Sequence, residues 1–222
     1  MTTSVLIADD SPYIRTAYRR ILETQDDLEV SVVVDDGRAA VEAAEGISLD
    51  VAILDVRMPR LDGITAGKKI REASPSTAIV IVSAFDDWTY IQDLVATDPG
   101  GKAYILKNSL DDIGELIRVV RQVRKGYVIF DHVLVDKLVG YYERHTSPEA
   151  REFSKGHLDV ITLYSRGFER SEIGSMLEIS SDQLDQNLSD LFTYLEIDES
   201  DDRGSQVATT ISFLHRCVAL DA

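Results

Sequence analysis

The chain has 222 residues, 44% of them apolar, and a net charge of −16. Its length suits one medium domain and one small one, each with enough apolar material for a core. The charge argues against a protein built for nonspecific attraction to nucleic acid or anionic lipid, since such proteins gain affinity by releasing counterions to Lys and Arg. The opening "MTTSVLIADD" reaches its acids too early for a secretory signal, and no apolar run approaches the ~18 residues of a membrane span. A soluble cytoplasmic protein with no membrane partner is expected. The single cysteine, Cys217, has no partner at metal-ligand spacing and reads as a small apolar residue.

In chain order, residues 1–125 alternate short β-branched runs with amphipathic stretches. The runs are residues 4–8, 30–34, 51–54, 78–83 and 103–106, nearly all apolar, as strands buried on both faces should be. After Pro12, the residues Ile14, Ala17, Tyr18, Ile21 and Leu22 share one helical face; after Ser109, so do Leu110, Ile113, Ile117 and Val120. Ser11 with Pro12, and Ser109 with Asp112, read as helix starts. Repetition of this βα unit predicts a doubly wound, five-stranded parallel sheet of the flavodoxin-like kind, with helices on both faces. In such sheets ligands sit at the carboxyl ends of the strands.

The residues at those ends are polar and convergent. Asp9 and Asp10 close the first run, Asp55 the third, Ser83 the fourth and Lys107 the fifth. Carboxylates brought this close repel unless they share a cation, and a hard divalent ion with oxygen ligands suits them, Mg²⁺ above all. One carboxylate is then free to attack a phosphoryl group, while Lys107 and the Ser83 hydroxyl hold its oxygens.

The segments "LIADDSPYIR", "AILDVRMPRLDGI", "IVSAFDD" and "AYILKNS" resemble, in order, the signature segments of the receiver domain of two-component response regulators. The resemblance implies Asp55 as phosphoacceptor, with Asp9, Asp10, Asp55 and the backbone carbonyl of Arg57 around Mg²⁺. It further implies Ser83 as switch hydroxyl, Tyr104 as switch aromatic, Lys107 as phosphate partner, and a sensor histidine kinase as partner.

Residues 126–150 read as a linker with a short helix on Val133, Leu134, Lys137, Leu138 and Tyr141, followed by a polar turn. From 151 to 222 no strand-like run occurs, and helical pieces fall near 154–165, 171–177, 181–195 and 204–219, predicting a small all-α domain. Its text resembles the LuxR-type helix-turn-helix of the NarL/FixJ class, with Gly167, Glu172, Ile173, Leu177, Ile179, Leu184, Leu188, Leu191 and Leu195 at framework positions. With the leucines of the second helix inward, the output face carries Asp182, Asp185, Gln186, Asn187, Ser189, Asp190 and Thr193. Between Ser171 and Asp202 there are ten acids and no Lys or Arg, and residues 147–222 carry six basic and fifteen acidic residues, a net of −9. That face disfavours DNA by charge, although Gln186 and Asn187 are residue types that read adenine edges.

Two functional readings follow. The first is a phosphorylation-controlled transcription regulator whose output domain contacts DNA weakly or atypically, with a homodimer compatible with that class. The second keeps the phospho-switch but assigns the acidic face to a protein partner instead of DNA. An enzyme acting on an external substrate is not expected, since no Gly-rich nucleotide loop is present and the scattered histidines (His132, His145, His157, His215) lack ligand or catalytic spacing.

Overall fold

The computed structural model describes residues 2–86, 88, 91, 100–110, 113–146 and 153–219. The chain divides into two compact units, Met1–Ile129 and Phe130–Ala222.

The first unit is built on a sheet. Strands β1 (Thr3–Ala8), β2 (Leu28–Val34), β3 (Val51–Asp55), β4 (Ala78–Ser83), β5 (Lys102–Leu106) and β6 (Val128–Phe130) lie in the order β2-β1-β3-β4-β5-β6. The pairs β1–β2, β1–β3, β3–β4 and β4–β5 are parallel. The sheet therefore has six strands where the sequence reading expects five. The sixth is a short edge strand, and its brief apolar run "VIF" sits between helices without the length of the others.

Helices α1 (Pro12–Leu22), α2 (Gly37–Gly46), α3 (Gly63–Ala73) and α4 (Ile113–Arg124) flank the sheet. Alternation along the strands decides which helix each side chain meets. Val5, Ile7, Val51, Ile53, Val80 and Val82 form a core with Tyr18 and Leu22 of α1 and Leu116, Val120 and Val123 of α4. Leu54 and Ile79 point the other way, where a Cβ placed on Gly67 of α3 would stand 3.4 Å and 3.0 Å from their side chains. The helix expected between the fourth and fifth strands falls on residues 87–99, most of which lie outside the described residues.

Several local expectations are corrected. Ala17 is exposed, so the buried stripe of α1 is narrower than its apolar residues suggest. Ser11 does occupy the N-cap of α1 but makes no capping bond with its side chain. Ser109 is not a helix start: it closes a single 3₁₀ turn, Lys107–Ser109, and its hydroxyl is buried without a hydrogen-bond partner. Asp112, its expected capping partner, and the side chains of Ile113 and Cys217 lie outside the described residues.

After Phe130, the described elements of the second unit are all helices: α5 (His132–His145), α6 (Lys155–Ser165), α7 (Arg170–Leu177), α8 (Ser181–Tyr194) and α9 (Arg203–Ala219). The helix expected in a linker is α5, and it buries Leu134, Val135, Leu138 and Tyr142; Val133 and Tyr141 are half-buried and Lys137 is exposed. Tyr142 packs on Phe153 and Phe213, with ring centroids 5.4 Å and 6.5 Å away, so α5 contributes to the core of this unit. Helix starts carry side-chain caps at Asp131, Ser154 and Ser180. Between α7 and α8 the backbone turns at Glu178, whose φ of 55° is left-handed. The Tyr164 hydroxyl donates to Gln206 at 2.6 Å, and Arg203 donates to the Tyr164 carbonyl at 3.1 Å, tying the start of α9 to α6.

Candidate functional site

The carboxyl edge of the sheet gathers the polar strand ends at the point where strand order reverses. Asp9 ends up almost wholly buried because the chain turns there into α1. Its Oδ1 accepts the Ser11 N–H at 2.8 Å, and Arg15 donates to the carbonyls of Asp9 at 2.7 Å and Asp10 at 3.1 Å, which fixes that turn. Asp10 is exposed at the rim. Asp55 closes β3 and is 6% exposed. Lys107, leaving β5, reaches across, with its Nζ 2.8 Å from Asp9 Oδ2 and 3.0 Å from Asp55 Oδ1. Carboxylate oxygens of Asp9, Asp10 and Asp55 lie within 4.8 Å of one another.

The electrostatics follow from crowding. Burial pushes the Asp55 carboxyl above the ordinary carboxylate value, against the opposing pull of Lys107. Burial alone would lower Lys107, but its bonds to Asp9 and Asp55 outweigh that and hold the ammonium above its ordinary value. A single ammonium facing three carboxylates leaves an excess of negative charge. Around Mg²⁺, oxygens at about 2.1 Å stand roughly 3 Å apart when adjacent and roughly 4 Å when opposite. A spread of 4.8 Å is thus within side-chain adjustment of such a set, and the donors are hard oxygens throughout. The pocket can hold a divalent cation beside the Asp55 oxygen.

Ser83 also arrives, but bonded within the chain and not open for its expected phosphoryl contact, and Tyr104 shares its acceptor. The Ser83 hydroxyl donates to the Phe85 carbonyl at 2.9 Å and accepts the Phe85 N–H at 3.0 Å. Tyr104, fully buried, donates its own hydroxyl to the same carbonyl at 2.8 Å. The Phe85 carbonyl is therefore the common acceptor of the Ser83 and Tyr104 hydroxyls. The sequence reading missed it, because its backbone carbonyl, not its side-chain type, does the accepting. Arg57 lies on the loop after β3 with its guanidinium over the Phe85 ring, 4.0 Å from the centroid.

Gly63 explains how the loop after Asp55 closes so tightly. Its N–H donates to the Val56 carbonyl at 3.0 Å, and a Cβ there would stand 2.1 Å from the Asp55 carbonyl oxygen, an impossible contact. Gly63→Ala must displace the Asp55 strand end or the start of α3. It is expected to cost about 2–3 kcal/mol, read as a lower urea midpoint, and to slow any chemistry at Asp55.

In the second unit Leu184, Leu188 and Leu191 of α8 are buried, while Asp182, Asp185, Gln186, Asp190 and Thr193 are exposed and Asn187 and Ser189 half-buried. Several of these polar groups bond within the unit. Arg170 donates to Asp185 at 2.6 Å, Gln186 to Asp190 at 2.7 Å and Ser189 to Glu199 at 2.6 Å. His157 Nε2 stands 3.7 Å from Asp190. The outward face is acidic, and Arg170 and His157 each face one of its own aspartates.

Residues 5–121 match the family of the response regulator receiver domain. The uncharacterized transcriptional regulatory protein YxjL of Bacillus subtilis (strain 168) is 33% identical over 181 residues, 79% of this chain and 81% of its own. The oxygen regulatory protein NreC of Staphylococcus carnosus (strain TM300) is 34% identical over 184 residues, 79% of this chain and 83% of its own. Among solved structures, a DNA-binding response regulator of the LuxR family from Staphylococcus aureus is 29% identical, with a TM-score of 0.50, covering 55% of this chain and 98% of its own.

Proposed function

We propose, from the premise that this chain belongs to the response regulator family and is a two-component regulator of transcription, that Asp55 is its phosphoacceptor and a histidine kinase its donor. The observation that carries this is the placement of Lys107 between Asp9 and Asp55, 2.8 Å and 3.0 Å away, in a pocket of three carboxylates.

The carboxylates of Asp9, Asp10 and Asp55 and the backbone carbonyl of Arg57 would hold Mg²⁺, which when bound supplies positive charge next to the phosphoryl oxygens. An Asp55 carboxylate oxygen attacks phosphorus. The bond from phosphorus to the donor's imidazole nitrogen breaks, and the electron pair leaves with the imidazole. Lys107 transfers its attention from the carboxylates to a phosphoryl oxygen, stabilising charge that spreads as the bond breaks. Ser83 can reach the phosphoryl group only by giving up its bond to the Phe85 carbonyl, which leaves Tyr104 as that carbonyl's remaining side-chain donor. This exchange is the step by which chemistry at Asp55 reaches the loop after β4.

The output is the helix-turn-helix of α7 and α8. Its acidic face, with Asp182, Asp185 and Asp190 exposed, lowers attraction to the phosphate backbone, so DNA contact by this unit is weak. The same exposure favours a second reading in which the face takes a basic protein partner. A DNA-binding selection with the full chain, phosphorylated and unphosphorylated, at low and moderate salt separates the two. Enrichment of a defined sequence only after phosphorylation supports the DNA reading. No enrichment at any salt supports the protein partner.

A further inference from the structure

We infer that Arg60 and Asp36 form a positioning pair for the cation pocket: an ion pair that anchors the loop after β3 to the start of α2 and so fixes the backbone on which Arg57 offers its carbonyl. The inference rests on the proposed Mg²⁺ and Asp55 chemistry and adds residues outside the pocket.

The loop is fixed at both ends by the sheet and by α3. Val56 donates its N–H to the Val82 carbonyl at 3.2 Å, and Gly63 returns to the Val56 carbonyl at 3.0 Å. Its middle needs a separate restraint, because Arg60 has a φ of 66°, a left-handed conformation that residues with a Cβ seldom adopt. The restraint comes from α2. Arg60 Nη2 donates to Asp36 Oδ2 and lies 3.7 Å from Asp35 Oδ1. Asp36 is wholly buried, and its other oxygen caps α2 by accepting from the N–H groups of Arg38 at 2.8 Å and Ala39 at 2.9 Å. One carboxylate therefore orders the start of a helix and holds the loop at once.

The neighbouring backbone makes the same junction. A Cβ on Gly37 would stand 2.2 Å from the Leu61 carbonyl oxygen, so α2 can approach the loop only because that residue is glycine. The Arg57 side chain does not serve this purpose, since it lies over Phe85 on the opposite loop. The carbonyl of Arg57 is thus held in place by a residue three positions on, through a contact outside the pocket. Partners that orient metal ligands in this way commonly govern affinity by an order of magnitude.

The test compares the full chain with Arg60→Gly, Arg60→Asn, Arg60→Lys and Asp36→Asn. Glycine and asparagine tolerate the left-handed backbone while removing the ion pair, lysine keeps the charge, and asparagine at 36 keeps a capping oxygen. Calorimetric titration with Mg²⁺ alone is expected to show about tenfold weaker binding for Arg60→Gly, Arg60→Asn and Asp36→Asn, with Arg60→Lys restoring most of it. Phosphorylation from a small phosphodonor should need correspondingly more Mg²⁺ yet reach nearly the wild-type rate at saturation. Wild-type Mg²⁺ affinity in folded Arg60→Gly and Arg60→Asn, with only thermal stability reduced, would overturn the inference while leaving Asp55 as phosphoacceptor. Failure of the unaltered chain itself to bind Mg²⁺, matching an Asp10→Ala control, would overturn both.

Discussion

Asp55→Asn is expected to reduce phosphoryl uptake from a small donor or a kinase to background, with the fold intact. Asparagine is nearly the same size but offers no anionic oxygen to attack phosphorus. It also turns either a neutral carbonyl or an amide towards Lys107, which stands 3.0 Å from Asp55 Oδ1. The fold should not suffer. Burial raises the Asp55 carboxyl above its ordinary value, so its ionised form is disfavoured in the folded chain relative to the unfolded one. A raised carboxyl contributes favourably only below its unfolded value, and that contribution is lost as pH rises through the folded one. The asparagine variant should therefore match the parent at low pH and exceed it in stability at neutral pH, read by urea titrations with chelator present. A variant that takes up phosphate at the parent's rate would remove Asp55 from the mechanism.

Replacing Asp182, Asp185 and Asp190 together by lysine is expected to raise nonspecific duplex affinity roughly 10- to 100-fold at low salt. The three residues are exposed, and each Asp within about 8 Å of a phosphate costs about 0.5 kcal/mol before screening. Each lysine that replaces one adds up to about one unit to the logarithmic salt slope, so the gain should shrink as salt rises. The change also frees Arg170 from Asp185, a pair more than half exposed on both sides and so of little value to stability. The main structural cost is a lysine at position 182 in the first turn of α8, where the helix dipole prefers the acid, at about 0.5 kcal/mol. Phosphorylation at Asp55 should be unchanged. If the face serves a basic partner instead, the same change abolishes that partner's binding without conferring tight binding to DNA.

The sequence carried the sheet and the placement of its polar strand ends well because both depend on composition at known places. Runs such as "AIVIVS" are buried at every residue of β4, and Asp9, Asp55, Ser83 and Lys107 lie at strand ends, where this architecture puts ligands. Pattern failed where apolar residues surround a helix. In α5 the text "HVLVDKLVGYY" fits two adjacent faces, and the fold buries Leu134, Val135, Leu138 and Tyr142, the last against Phe153 and Phe213. Ser109 followed by Asp112 mimicked a capping box although the chain first makes a 3₁₀ turn. Phe85 and Arg60 were illegible for a different reason. Their roles depend on a carbonyl's direction and on a left-handed φ, and neither leaves a mark in residue type; an arginine is among the less expected residues at such a φ.

The most direct measurement is to treat the full chain with a small phosphodonor, with and without Mg²⁺, trap the acyl phosphate by reduction and locate it by peptide mass spectrometry. A single Mg²⁺-dependent modification at Asp55, absent from Asp55→Asn and slowed in Asp10→Ala, is the predicted result. Modification at another residue, or uptake at Asp55 that persists unchanged without a divalent cation, would contradict the assignment of the pocket.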